Sequence, residues 1–114
     1  MAYDERLAGR VRRALGGRRG VSERKMFGGL CFLLHGNMLC GVARPGLMLR
    51  VGKDQEARAL ARAGARPMDF TGRPLRGLVW VDPAACRGRA LAGWLALAER
   101  FVGALPAKGR ERWD

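Results

Sequence analysis

The chain is short of the groups that catalysis and metal binding use. One histidine (His35), one serine (Ser22) and one threonine (Thr71) occur in 114 residues. A hydroxyl relay needs its nucleophile held against an oriented imidazole. His35 stands between an apolar run and Gly36, with no acid beside it in sequence. The expectation is an exposed turn histidine and no catalytic residue. Cysteine is scarce as well. Cys31, Cys40 and Cys86 are odd in number and none forms a C-x-x-C pair. That pattern is not a disulfide framework and suits a reducing compartment. Cys31, His35 and Cys40 bring thiols and imidazole together, but without a fourth ligand or the close Cys pairs of structural zinc sites. Reduced thiols in the core, with no metal and no cofactor, are expected. No apolar run approaches the ~18 residues of a membrane span. The N-terminal Met-Ala-Tyr-Asp-Glu-Arg lacks the apolar core of a signal peptide. A cytoplasmic chain with no membrane partner is the expectation.

Acidic residues are few. Asp and Glu number 10 against 22 Lys and Arg, for a formal net charge of +12 and a pI near 11.4. Such a balance draws a protein toward polyanions. The lysines are only Lys25, Lys53 and Lys108, and arginine, alanine and glycine are all abundant. GC-rich coding explains that bias equally well, so selected polyanion binding and compositional drift both stand. A hydrophobic content of 48% excludes disorder. The length suits one domain that buries roughly two-thirds of its unfolded surface.

The first segment reads as an amphipathic helix. Leu7, Val11 and Leu15 recur at helical spacing, Asp4 is placed to cap it, and Gly16-Gly17 ends it. Arg6, Arg10, Arg12 and Arg13 cover the other faces. A short strand candidate at 23–27 follows, then short apolar runs at 30–34, 38–43 and 47–51, with Gly36-Asn37 as one turn and Arg44-Pro45-Gly46 as another. This is the pattern of an antiparallel meander. In the last run Leu47, Leu49 and Val51 share one face, and Met48 and Arg50 the other. A turn at Gly36-Asn37 would put Leu33 opposite Cys40, and Cys31 and Cys40 on one face. A short helix over 54–62, an edge strand at 68–70, a loop at 71–74 and a strand at 78–81 come next. Asp82-Pro83 reads as an N-cap and first-turn proline. The final helix carries Leu91, Trp94, Leu95, Ala98, Phe101, Val102 and Leu105 as an apolar stripe closed by Pro106. A stripe left exposed would point to a homodimer. The domain is placed at 1–106, with a charged, fraying tail at 107–114 that holds Trp113.

Other chemistry is weakly signalled. Asp54 with Glu56, or Asp69 with Asp82, are carboxylate pairs only on paper; capping and surface charge explain them. Gly16-Gly17-Arg18-Arg19-Gly20 matches no phosphate-binding fingerprint, since it follows a helix and does not open one after a strand. It still places Arg18 and Arg19 beside Arg10 and Arg13, and these four are the nucleic-acid contact candidates. Trp80 alternates with Val79 and Val81, which makes it the best stacking aromatic, with core packing as its alternative.

Three stretches in fixed order carry a family resemblance: Lys25-Met26-Phe27-Gly28-Gly29 with Gly36-Asn37-Met38, then Gly46 to Gly52, then Ala65 to Pro74 leading into Gly77 to Pro83. Over Tyr3 to Leu105 the chain resembles the N-terminal domain of the TfoX/Sxy competence regulators. The resemblance implies an α+β fold: a two-layer sandwich of a mainly antiparallel sheet with an N-terminal, a middle and a long C-terminal helix. It also implies a non-enzymatic regulator that works through a protein partner of transcription-factor type, as the family does with the cyclic-AMP receptor protein. Full-length regulators carry a further helical domain; ending at Asp114, this chain is expected to be the stand-alone domain. Arg66, Asp69 and Arg73 of the matching stretch are nominated as a partner-binding loop. Gly28-Gly29 is read as a bend that side chains would block. The expected function is therefore a regulatory protein-interaction module. The alternatives are an arginine-driven, weakly sequence-specific nucleic-acid binder and, below it, a small-ligand-binding domain.

Overall fold

The computed structural model describes residues 3–26, 28–70 and 72–108. Helix α1 (Glu5–Ala14) begins as the sequence predicts. The Asp4 carboxylate accepts hydrogen bonds from the Arg6 and Leu7 N–H groups at 2.9 and 3.1 Å, which satisfies donors the first turn otherwise leaves open. The chain then forms β1 (Val21–Met26), β2 (Gly29–Leu34), β3 (Asn37–Ala43) and β4 (Gly46–Arg50). The predicted helix over 54–62 is a 3-10 turn (Lys53–Gln55) continued by α2 (Glu56–Leu60). Strands β5 (Ala65–Phe70) and β6 (Arg73–Val81) and helix α3 (Arg89–Val102) complete the order.

All pairings are antiparallel, and the six strands lie in the order β1-β2-β3-β4-β6-β5. The three helices cover one face of this sheet. Leu7 and Val11 of α1, Ala59 of α2 and Leu91, Trp94, Leu95, Leu97, Ala98 and Val102 of α3 share one core with Phe32, Leu34, Val42, Leu47, Leu49, Val79 and Val81. The molecule is thus the expected two-layer α+β sandwich. Leu91, Trp94, Leu95, Ala98 and Val102 of the stripe are buried; Phe101 is half-buried with its ring against Gly52, and Leu105, also half-buried, lies past the end of α3. Leu97, absent from the predicted stripe, joins the core.

Several local expectations are corrected. The β2–β3 turn is His35-Gly36, not Gly36-Asn37: His35 has φ 52° and Gly36 φ 83°, as a two-residue hairpin with two left-handed positions requires. Asn37 opens β3 instead. It is buried, and its Nδ2 donates to the Pro106 carbonyl at 2.9 Å. The Lys108 N–H donates to the His35 carbonyl at 2.9 Å, so the first residues after Pro106 are pinned to the hairpin and not frayed. A bulge follows the turn, since Leu33 pairs with Met38 but Phe32 pairs with Cys40. The extra residue puts Leu39 and Cys40 together in the core. Cys31, one residue from Phe32, therefore faces the opposite way to Cys40, against the predicted register. Thr71 and Trp113, the latter suggested to dock, lie outside the described residues, as does Phe27 of the predicted 23–27 strand. The segment read as an edge strand, a loop and a short strand is one long hairpin, β5–β6. Asp82-Pro83 starts a single 3-10 turn, Pro83–Ala85, without an Asp82 side-chain cap; α3 begins later, after Gly88.

Candidate functional site

The sheet face away from the helices is apolar at its centre and basic at its ends. Register alone places one row straight across it. Arg24 of β1 is opposite Cys31 of β2, Cys31 opposite Gly41, Gly41 opposite Met48, Met48 opposite Trp80 and Trp80 opposite Arg66. At the usual strand separation of ~4.8 Å this row spans roughly 24 Å. Its compactness is visible at Gly41, where an added Cβ would lie 2.8 Å from Met48 Cε and 3.3 Å from Cys31 Sγ. Met48 and Trp80 are half-buried, and Met38 and Leu78 lie half-buried one row away. None of the four belongs to the core that the helices share with the sheet. Trp80 thus lies outside the helix-side core, and among the described residues it is the one aromatic of this row.

Sequence reasoning found part of this face. Alternation separated Met48 from Leu47 and Leu49, and Trp80 from Val79 and Val81. Cys31 and Gly41 were missed because β2 and β3 are continuous apolar runs whose alternation cannot be read. The three thiols are free and buried. Burial pushes the Cys86 thiol up to about 11, and those of Cys40 and Cys31 also upward, which keeps all three protonated and slow to react. Cys40 and Cys86 belong to the core shared with the helices, whereas Cys31 stands outside it, beside Gly41 and close to the Met48 side chain on the other sheet face. A thiol reagent applied to the native protein is expected to modify Cys31 first, and Met48→Ala to speed that step while leaving Cys40 and Cys86 slow. Mass-spectrometric timing of modification checks it; Cys40 reacting ahead of Cys31 would mean the face assignment is wrong.

The nominated arginines differ in exposure and in their contacts. Arg10 is half-buried, and its Nε has no hydrogen-bond partner among the described residues. Arg13 and Arg19 are exposed. Arg18 Nε lies 3.1 Å from the Glu99 carboxylate on α3, so it ties the loop after α1 to that helix. Arg12, not nominated, pairs with Glu23 of β1 at 2.6 Å and holds that carboxyl below its ordinary value. Arg66, Asp69 and Arg73 are not in one loop. Arg66 is opposite Trp80, while Arg73 is opposite Phe70 near the other end of the hairpin. Arg66 pairs with Asp82 at 3.0 Å; the Asp69 side chain lies outside the described residues.

Of the carboxylates considered for acid–base work, Glu56 and Asp82 are engaged in ion pairs. Glu56 accepts from Arg76 Nε and from the Gly77 N–H, each at 2.9 Å, and these bonds hold its pKa below the usual range. His35 is exposed at its turn, its ring lying over Gly20. Among the described residues no group of three or more His, Cys, Asp or Glu side chains is arranged to hold a metal. No described helix is long and apolar enough to cross a membrane.

The family model of the TfoX N-terminal domain matches residues 13–101, which takes in the chain from the end of α1 to the last turn of α3. No curated protein and no solved structure matches the chain.

Proposed function

Because the chain belongs to the TfoX N-terminal domain family, we propose that it is a non-enzymatic regulatory module of the cytoplasm that works by binding a protein partner, as a co-regulator of transcription does. The observation that carries this reading is the open row Arg24–Cys31–Gly41–Met48–Trp80–Arg66. An apolar centre with half-buried Trp and Met, rimmed by arginine, has the composition of a protein-binding patch. Flexible methionine adapts to the surface it meets, and tryptophan supplies large area at small entropy cost. The charge of the rim selects a partner segment that presents apolar side chains between carboxylates. A base-stacking platform would need several exposed rings in a basic field, and this face offers Trp80 alone among its described residues.

Capture from nuclease-treated lysate, followed by titration of the isotope-labelled protein with the purified captured protein, tests the reading. Binding is expected to shift the amide signals of Met48, Trp80 and Arg66, to be lost in Trp80→Ala, and to persist in Arg18→Ala/Arg19→Ala. Capture that vanishes with nuclease, with a log–log salt slope reduced by about two phosphate contacts in the double arginine variant, would make nucleic acid the better reading. A chain that sediments as a dimer, and as a monomer after Trp80→Ala, would assign the face to a second copy instead.

A further inference from the structure

A separate feature lies where the sheet ends beside the last turn of α3. A cleft of about 650 Å³ is lined by Arg50 to Gln55, by Arg76 to Leu78, and by Arg100 and Phe101. That size falls within the usual range of small-molecule sites. Its walls carry four cations, Arg50, Lys53, Arg76 and Arg100, against the single carboxylate of Asp54. Arg76 is shared with Glu56. No carboxylate of the described residues pairs with Arg50, Lys53 or Arg100. Arg50 is held in place all the same: its guanidinium sits 5.4 Å from the Phe101 ring centroid, and its Nη1 donates a long bond of 3.4 Å to the Met38 carbonyl. Burial lowers its pKa, the mark of a charge removed from water without an anion to balance it.

The floor is backbone. The Val51 and Gly52 N–H groups both donate to the Gly77 carbonyl, at 2.8 and 3.1 Å. A Cβ on Gly52 would lie 2.4 Å from the Phe101 ring, and one on Gly77 would lie 3.2 Å from Gly52. Gly77 lets its segment lie close against Gly52 and Lys53, Gly52 leaves room for the Phe101 ring, and both take the positive φ that favours glycine; the crossing brings Lys53 and Arg76 to one mouth. Val51, Leu78 and Phe101 give the same cleft an apolar wall.

We propose that this cleft binds a phosphorylated organic molecule of about mononucleotide size. Arg50, Lys53 and Arg100 take the phosphate groups and the Val51–Leu78–Phe101 wall takes the organic body. Guanidinium and ammonium donors match phosphate oxygens, Arg through its planar fork and Lys as a point charge. The cleft is distinct from the open row on the sheet face, and its occupancy does not depend on the partner proposed there.

The test titrates the full chain with AMP, ATP and inorganic pyrophosphate by calorimetry, and maps amide shifts with isotope-labelled protein, at ~0.15 M salt, where unspecific charge attraction is largely screened. Saturable binding is expected for at least one nucleotide, tighter than for pyrophosphate, with shifts at Gly52, Lys53 and Gly77. Arg50→Met should weaken it about tenfold or more, the usual loss for a charge-assisted contact. Lys53→Gln and Arg100→Gln alter exposed side chains and keep the fold, so they remain informative if Arg50→Met unfolds; each should weaken binding severalfold. Arg13→Gln on α1 should change nothing. Lack of saturable binding to any of the three compounds would overturn the proposal. So would shifts confined to α1, or affinity unchanged in both Lys53→Gln and Arg100→Gln. Pyrophosphate binding as tightly as the nucleotides would deny the apolar wall its role. A short single-stranded oligonucleotide that binds here while the mononucleotides do not would assign the cleft to a nucleic-acid strand and overturn the small-molecule reading.

Discussion

Trp94→Ala is expected to lower the unfolding free energy by about 3–5 kcal/mol, as truncation of a buried aromatic does. The indole is 3% exposed and sits within the core shared by α3 and the sheet. It is also oriented at both ends. Its Nε1–H donates to the Ala85 carbonyl at 3.0 Å, and the Arg62 guanidinium lies 5.2 Å from its ring centroid. Truncation leaves a cavity and strips the Ala85 carbonyl of a donor, so transfer, cavity and hydrogen-bond costs act together. Small domains hold roughly 5–15 kcal/mol in all, so the variant should lose a large share of its stability. Urea midpoints measure it, with an unchanged m-value showing that the native state is still compact. Phe101→Ala is expected to cost less, since Phe101 is only half-buried. A Trp94→Ala midpoint equal to wild type would show that α3 does not hold its stripe against the sheet.

The two glycines that lead into β2 should respond very differently to alanine. Gly28 has φ 74° and open space around its Cα, so alanine there meets only the left-handed backbone penalty of about 1–2 kcal/mol. Gly29 shows no such φ, yet a Cβ on it would fall 2.3 Å from the Val42 carbonyl oxygen of the neighbouring strand. A carbonyl engaged in a sheet cannot swing aside as a long side chain can. Gly29→Ala must therefore push β2 from β3, at a cost of about 3 kcal/mol or more, the upper part of the range for overpacking. Equal denaturation midpoints for the two variants would contradict the geometry. The bend inferred from sequence thus belongs to Gly28, whereas Gly29 serves the close approach of two strands.

Much of the architecture was legible because it depends on neighbours in the chain. The stripe on α3 has a helical period, Asp4 precedes an apolar periodic run, and β4 alternates Leu47-Met48-Leu49-Arg50-Val51. Each of these is a local pattern, and each survives in the fold. The ordered motifs from Lys25 to Pro83 were legible in the same way, and they point to the family whose model matches residues 13–101.

Tertiary structure decided which residues meet. Leu30 to Leu34 are apolar throughout, so nothing in their order says which face each takes; the earlier turn alone would still leave Cys31 and Cys40 on one face, and it is the bulge between Phe32 and Leu33 that sets them apart. Asp82 looked like a helix cap, but it lies beside Arg66 across the hairpin and is spent on that ion pair. Arg18 looked like part of a basic loop patch, but it reaches Glu99, 81 residues away in sequence. The cleft has no sequence signature at all: Arg50, Arg76 and Arg100 stand in three separate segments, and only the crossing at Gly52 and Gly77 brings those segments together. Periodicity is fixed by bonds between near neighbours, which is why sequence alone determined the elements. A site is fixed by contacts whose partners lie far along the chain, and those exist only once the sheet has chosen its register.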